Sequence, residues 1–196
     1  MKIEPNNIQE ALDLIFNVLN QGDSRYNDSE GEEILADFLI NKAVTIEQRE
    51  IPYVEIPPED KTEVCYLKEV QWGEKSLAKA LLKLEGFSDS EIKFERRFMD
   101  SRPDVITESE KKLISVECCS CRISKIINFL SDADELWIIT RGIPSWEKPL
   151  SKDYLAEWFI FQKGPNWEER FNKLQEDKWE ELKKVHSPID DLMSEN

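Results

Sequence analysis

The sequence predicts an α/β fold in which a mixed β-sheet is flanked by helices. Three observations predict it. Between residues 73 and 140 the apolar period switches between 3.6 and 2 in the order helix, strand, strand, strand, helix, strand. The first three strands follow one another too closely for crossovers and are expected to form an antiparallel meander. The third and fourth are separated by a helical run, which suits a parallel pair with a right-handed connection.

Taken in order, residues 7–20 place Ile8, Leu12, Ile15, Phe16 and Leu19 on one helical face, and the polar run from Asn20 to Ser24 ends that helix. A second helix is expected from about Glu30 to Ala43. The segment Ile51 to Asp60 carries Pro52, Pro57 and Pro58, which restrict it to an irregular link or a short edge strand. Residues 1–60 are therefore expected to form an N-terminal helical appendage, with residues 61–196 as the core. In that core, Gly73 to Glu85 turns Leu77, Ala80, Leu81 and Leu84 inward, and Gly86 is the expected left-handed cap. Strands are expected at Glu91 to Phe98, Pro103 to Thr107 and Leu113 to Cys118. A short helix from Arg122 to Leu130 buries Ile123, Ile126, Ile127 and Leu130. Glu135 to Thr140 and Ala156 to Gln162 are further strands. Asn166 to Val185 is a charged helix carrying Trp167, Phe171, Leu174 and Leu182.

Composition narrows the function classes. The 196 residues are 40% apolar, enough for a real core, and carry a formal charge of -15. A protein coated in basic surface for nucleic acid is thereby excluded. The charge is unevenly spread, however. From Trp72 to Ile126 there are 11 Lys and Arg against 10 Asp and Glu, so the acid lies outside the core segment. No apolar run approaches the roughly 20 residues of a membrane span, and a soluble, cytoplasmic protein without a membrane partner is expected.

Cys118, Cys119 and Cys121 crowd one strand end, which is poor spacing for a disulfide framework and fits a reducing compartment. With Cys65 they are also poorly spaced for a four-thiolate zinc or iron-sulfur centre. His186 is the only histidine and falls at a helix end beside Pro188, so Ser/His/Asp and Cys/His catalysis find no base. The six glycines form no phosphate loop.

One stretch remains that can do chemistry. Residues two apart on a strand share a face, so Asp104 lies with Arg102 and Ile106, and Glu117 with Ser115 and Cys119. In a hairpin that diverges at its open end, Asp104 and Glu117 converge, and paired carboxylates suit Mg²⁺ or Mn²⁺. Glu74, in the first core helix, is a third oxygen donor; the same glutamate also suits the first turn of a helix for dipole reasons. Plain structural readings stand beside these: Asp104 as a strand-start residue after Pro103, and Glu117 as an ion-pair partner of Arg102 or Lys112.

The helix–strand–strand–strand–helix–strand order, with Pro103-Asp104 and Val116-Glu117-Cys118-Cys119 spaced so that twelve residues separate Asp104 from Glu117, resembles the PD-(D/E)XK nuclease superfamily, the restriction-endonuclease-like fold. Glu74 is similarly placed to a glutamate of archaeal Holliday-junction resolvases. The resemblance spans residues 72–140. It implies a metal held by Asp104, Glu117 and the backbone carbonyl of Cys118, and a DNA substrate, branched or damaged. A homodimer is implied by the same resemblance. It also implies a lysine where Cys119 stands, and a neutral thiol cannot orient water or offset phosphate charge. Lys125, one turn into the next helix, is the expected replacement; Arg122 and Lys93 are further cations. Arg102 and Arg122 are the expected phosphate contacts. The alternative is a catalytically degenerate member that binds nucleic acid or serves in an assembly, where its acidity calls for a basic partner subunit. Among the tryptophans, Trp146 in its Pro-flanked loop is the candidate for base stacking, and the others suit the core.

Overall fold

The computed structural model describes residues 1–19, 29–52, 54, 66–96, 102–118, 121, 123–141 and 156–177. Asn7 opens α1 (Ile8–Leu19): its Oδ1 accepts the Glu10 N–H at 3.0 Å, while the Glu10 carboxylate accepts the Asn6 N–H at 2.8 Å. Two donors that a helix start leaves unpaired are thus satisfied reciprocally. The buried stripe is Ala11, Ile15 and Val18, one position round from the expected face, and Ile8 and Phe16 are exposed.

Helix α2 (Ser29–Ile40) buries Leu35, Ala36, Phe38 and Leu39. It stops earlier than expected, because Lys42 takes a left-handed conformation (φ 56°) and turns the chain straight into β2 (Val44–Arg49). This strand was not anticipated from the sequence. It pairs antiparallel with β1 (Lys2–Ile3) on one side and with β7 (Ala156–Lys163) on the other. The expectation of a separate helical appendage over residues 1–60 is therefore corrected: its described part contributes two strands of the main sheet, and α1 and α2 pack into the same apolar cluster as α4.

Helix α3 (Tyr66–Leu84) begins seven residues before the expected start. Leu77, Ala78, Leu81 and Leu82 face inward, whereas Leu84 is exposed. Its end is a Schellman cap: Gly86 (φ 91°) donates to the Lys83 carbonyl at 3.0 Å and Phe87 to the Leu82 carbonyl at 3.1 Å. Phe87 and Leu82 share one apolar cluster, so the cap also anchors the chain.

Strands β3 (Ile92–Phe94), β4 (Val105–Thr107) and β5 (Ile114–Cys118) form the antiparallel meander, and β5 runs parallel to β6 (Glu135–Arg141) across α4 (Ile123–Asp132). The seven-stranded sheet has the order β1-β2-β7-β6-β5-β4-β3. On one face α3 covers Val105, Val116, Trp137, Ile139, Trp158 and Ile160. On the other, α1, α2, α4 and the helical residues 167–177 cover Leu136, Ile138, Phe159 and Phe161. Three layers result, with most apolar burial on the two sheet faces. No helix of the described residues is long and apolar enough to cross a membrane.

Candidate functional site at the β4–β5 end

Strand β4 starts two residues later than expected, at Val105. The β4–β5 register, Val105 opposite Val116, would set Asp104 opposite Glu117 if the ladder continued. Instead the chain bends at Asp104, and its Oδ2 accepts the backbone N–H of Cys118 at 2.9 Å. A side chain thereby supplies the acceptor where the main-chain ladder ends. The carboxylate now lies beside the main chain that directly follows Glu117.

The other carboxylate oxygen meets an unexpected group. Lys75 of α3 is 2% exposed, and its Nζ lies 3.5 Å from Asp104 Oδ1 and 2.5 Å from Glu95 Oε1. Glu95, just past β3, adopts a left-handed backbone (φ 46°) that is costly for a residue with a side chain. Three bonds hold it there. Its N–H donates to the Asp104 carbonyl at 3.0 Å, its own carbonyl accepts from Arg102 Nε at 2.8 Å, and its Oε2 pairs with Arg102 Nη2 at 2.7 Å.

The electrostatics follow from this arrangement. Burial alone pushes the Lys75 ammonium down, but the hydrogen bond to Glu95 and the charges of Asp104 and Glu95 together outweigh it, and its pKa is raised. Glu95 is held below the usual carboxylate range, first by its hydrogen bond and pairing with Lys75 and then by Arg102. Two cations and two carboxylates thus form one balanced cluster.

Glu117 is buried at 3% exposure but occupies the other sheet face. Val116 and Cys118 join the α3-side cluster, and strand alternation turns Ser115 and Glu117 toward the α4 side. Lys93, opposite Ile106, lies on that same face. The two expected metal carboxylates are therefore joined through main chain rather than stacked on one face. Oxygen donors of this kind suit a hard divalent cation. Among the described residues, though, no three His, Cys, Asp or Glu side chains form a metal-holding group.

Of the two cations read as ion-pair partners of Glu117, Arg102 pairs with Glu95 and Lys112 with Glu135 at 2.6 Å. Glu74 lies in α3 directly before Lys75, and Lys125 lies in α4, but both side chains fall outside the described set. So do Cys119, Arg122, Trp146 and His186. Sequence reasoning missed Lys75 and Glu95. A signal existed for the lysine, since it falls in line with the buried Ala78 and Leu82, three and seven residues on, where an inward lysine calls for a partner. Glu95 offered none, because its role comes from a backbone turn. Compared with known proteins, the chain matches no family model, no curated protein and no solved structure.

Proposed function

We propose that the chain is a Mg²⁺- or Mn²⁺-dependent DNA phosphodiesterase of PD-(D/E)XK type acting at the β4–β5 end. The observation that carries this reading is the 2.9 Å bond from the Cys118 N–H to Asp104, inside the helix–three-strand–helix–strand order. It ties a carboxylate to the main chain at the residue after a second, buried carboxylate. On this reading Asp104, Glu117 and the Cys118 carbonyl would hold the cation, with the Glu117 carboxylate reaching the strand end from the α4 face and Glu74 assisting. When bound, the cation polarises a phosphate and lowers the pKa of its water. Lys75 and Glu95 fix the orientation of Asp104. Arg102 and Arg122 are the phosphate contacts, and Lys125 supplies the cation that Cys119 cannot. The near-neutral charge of residues 72–126 lets this part of an acidic chain approach DNA.

A second reading, a nuclease-fold subunit that binds DNA or a basic partner without cutting, is favoured by one observation. Lys75 already balances the Asp104 charge that a metal would use.

Relaxation of supercoiled plasmid by the purified chain at low salt, with Mg²⁺ or Mn²⁺, separates the two. Nicking that disappears in Asp104→Ala and in Glu117→Ala supports the enzyme. A chain that nicks with neither ion, yet gains cleavage in Cys119→Lys, is the non-cutting form of the same fold. No cleavage in either protein removes the phosphodiesterase reading.

A further inference from the structure

We propose that the cation row of α3, Lys75, Lys79 and Lys83 with Arg102 beside it, is a binding track for a phosphodiester backbone, on which Asp89 and Glu95 stand in for phosphates until one arrives. The identity of the polyanion rests on the DNA reading above. The track itself concerns binding rather than cleavage and needs no metal.

Residues four apart on a helix advance about 6 Å and turn about 40°. The three lysines therefore make one slowly turning stripe, from buried Lys75 through partly exposed Lys79 to exposed Lys83. Two carboxylates from the chain on either side of β3 close over it. Glu95 places Oε1 on Lys75 Nζ at 2.5 Å and Oε2 on Arg102 Nη2 at 2.7 Å. Asp89, six residues earlier, does the same, with Oδ1 3.2 Å from Lys79 Nζ and Oδ2 3.0 Å from Lys83 Nζ. Each carboxylate thus sets one oxygen on each of two cations. The two unesterified oxygens of a phosphodiester, carried on one atom in the same forked way, suit those positions.

Stability does not account for the two forks. The Asp89 side chain is 60% exposed and that of Glu95 45%, and ion pairs open to water contribute little. Glu95 also keeps its left-handed backbone, a costly conformation of the kind that recurs at ligand clamps. Both carboxylates can turn out into solvent, whereas the lysines are carried on a packed helix. A phosphodiester chain bears a charge on every unit, so one strand can engage successive cations along the stripe. In a chain of net charge -15, the two carboxylates keep this basic row covered when no such strand is present.

The test measures binding of a fluorescently labelled DNA duplex to the full chain by anisotropy, with EDTA present so that no divalent ion takes part. Asp89→Asn combined with Glu95→Gln is expected to bind more tightly than wild type. With about 0.9 counterion released per phosphate, two uncovered forks make that advantage shrink about tenfold between about 50 and 200 mM salt. Adding Lys79→Gln and Lys83→Gln is expected to abolish most of the gain, and a gain that survives them overturns the inference. The control, Glu4→Gln with Asp37→Asn, removes the same charge and frees Lys42 and Arg170 around α2, on the sheet face opposite α3. It is expected to bind as wild type does; an equal gain there reduces the effect to net charge and overturns the inference, as does no gain in the Asp89→Asn, Glu95→Gln variant. Inorganic phosphate or poly-glutamate, matched in charge, competing as well as unlabelled DNA overturns the phosphodiester assignment. The gain without plasmid nicking by any protein keeps the track and removes the phosphodiesterase reading, and nicking without the gain does the reverse.

Discussion

Asp104 and Cys118, fourteen residues apart, are joined by a 2.9 Å bond from the Cys118 backbone N–H to the Asp104 carboxylate. The bond replaces a ladder contact at the point where β4 has ended and β5 has not. Pro103, buried immediately before Asp104, has no N–H to extend the ladder, and the Asp104 side chain supplies the acceptor that the Cys118 N–H needs.

Replacing Asp104 tests what that bond contributes. Asp104→Ala strands the Cys118 N–H and removes one partner of Lys75, and a loss of about 1–3 kcal/mol in urea unfolding is expected. Asp104→Asn keeps an acceptor and is expected to lose less. Equal losses would assign the stability to the charge pairing with Lys75 instead.

Gly164 is expected to tolerate no side chain. A Cβ there would lie 1.9 Å from the Lys42 carbonyl oxygen, and the Gly164 N–H donates to Ala43 O at 2.6 Å, so the backbones at the β2–β7 junction cannot separate freely. Gly164→Ala should cost about 2–3 kcal/mol, at the upper end of overpacking effects, as read from the urea midpoint. The neighbouring Lys42→Gly should act oppositely and gain about 1 kcal/mol by relieving its positive φ. Its pair with Glu4 is exposed and contributes little against that.

Acid should expose the turn before β3. The backbone N–H of Ser88, then its hydroxyl, with Ser109 and Lys111 adding less, hold the Glu91 carboxyl at about 2 instead of 4.5. A depressed carboxyl pKa contributes stability that is present above the unfolded value. That contribution is lost as pH falls from 4.5 toward 2. Urea midpoints measured across this window should fall more steeply for wild type than for Glu91→Gln. Parallel curves would show that Glu91 titrates alike in both states.

Glu135, 4% exposed at the start of β6, gathers Lys112 at 2.6 Å, Gln162 at 2.5 Å and the Trp137 indole N–H at 3.0 Å. Glu135→Ala leaves the buried Trp137 indole N–H and the Gln162 amide without their acceptor, while Lys112, 43% exposed, can turn to water, and a loss of about 1–3 kcal/mol is expected. Thermal melting of the variant checks it. A loss below about 1 kcal/mol would mean that Trp137 and Gln162 find water instead.

Several parts of this molecule were legible before any coordinates. The Gly86 cap, the meander and the parallel β5–β6 pair follow from local period and turn chemistry, which short segments carry by themselves. Helix faces were read less well: on α1 the apolar Ile8 and Phe16 drew the stripe one position away from Ala11 and Val18. Strand β2 was invisible because Val-Thr-Ile-Glu-Gln-Arg is short and mixed, and its strand character comes from partners on both sides.

The candidate site divides along the same line. Residue order alone pointed to Asp104 and Glu117 as a carboxylate pair at adjacent strand ends, because strand parity is a local property. Folding then bent Asp104 out of its ladder, left Glu117 on the α4 face, and delivered Lys75 from a helix twenty residues before Glu95 to meet both Glu95 and Asp104. Those placements depend on how α3 packs against the sheet and where β4 stops. Neither is encoded in any single stretch of the chain, since each balances burial, hydrogen bonding and charge among segments distant in sequence.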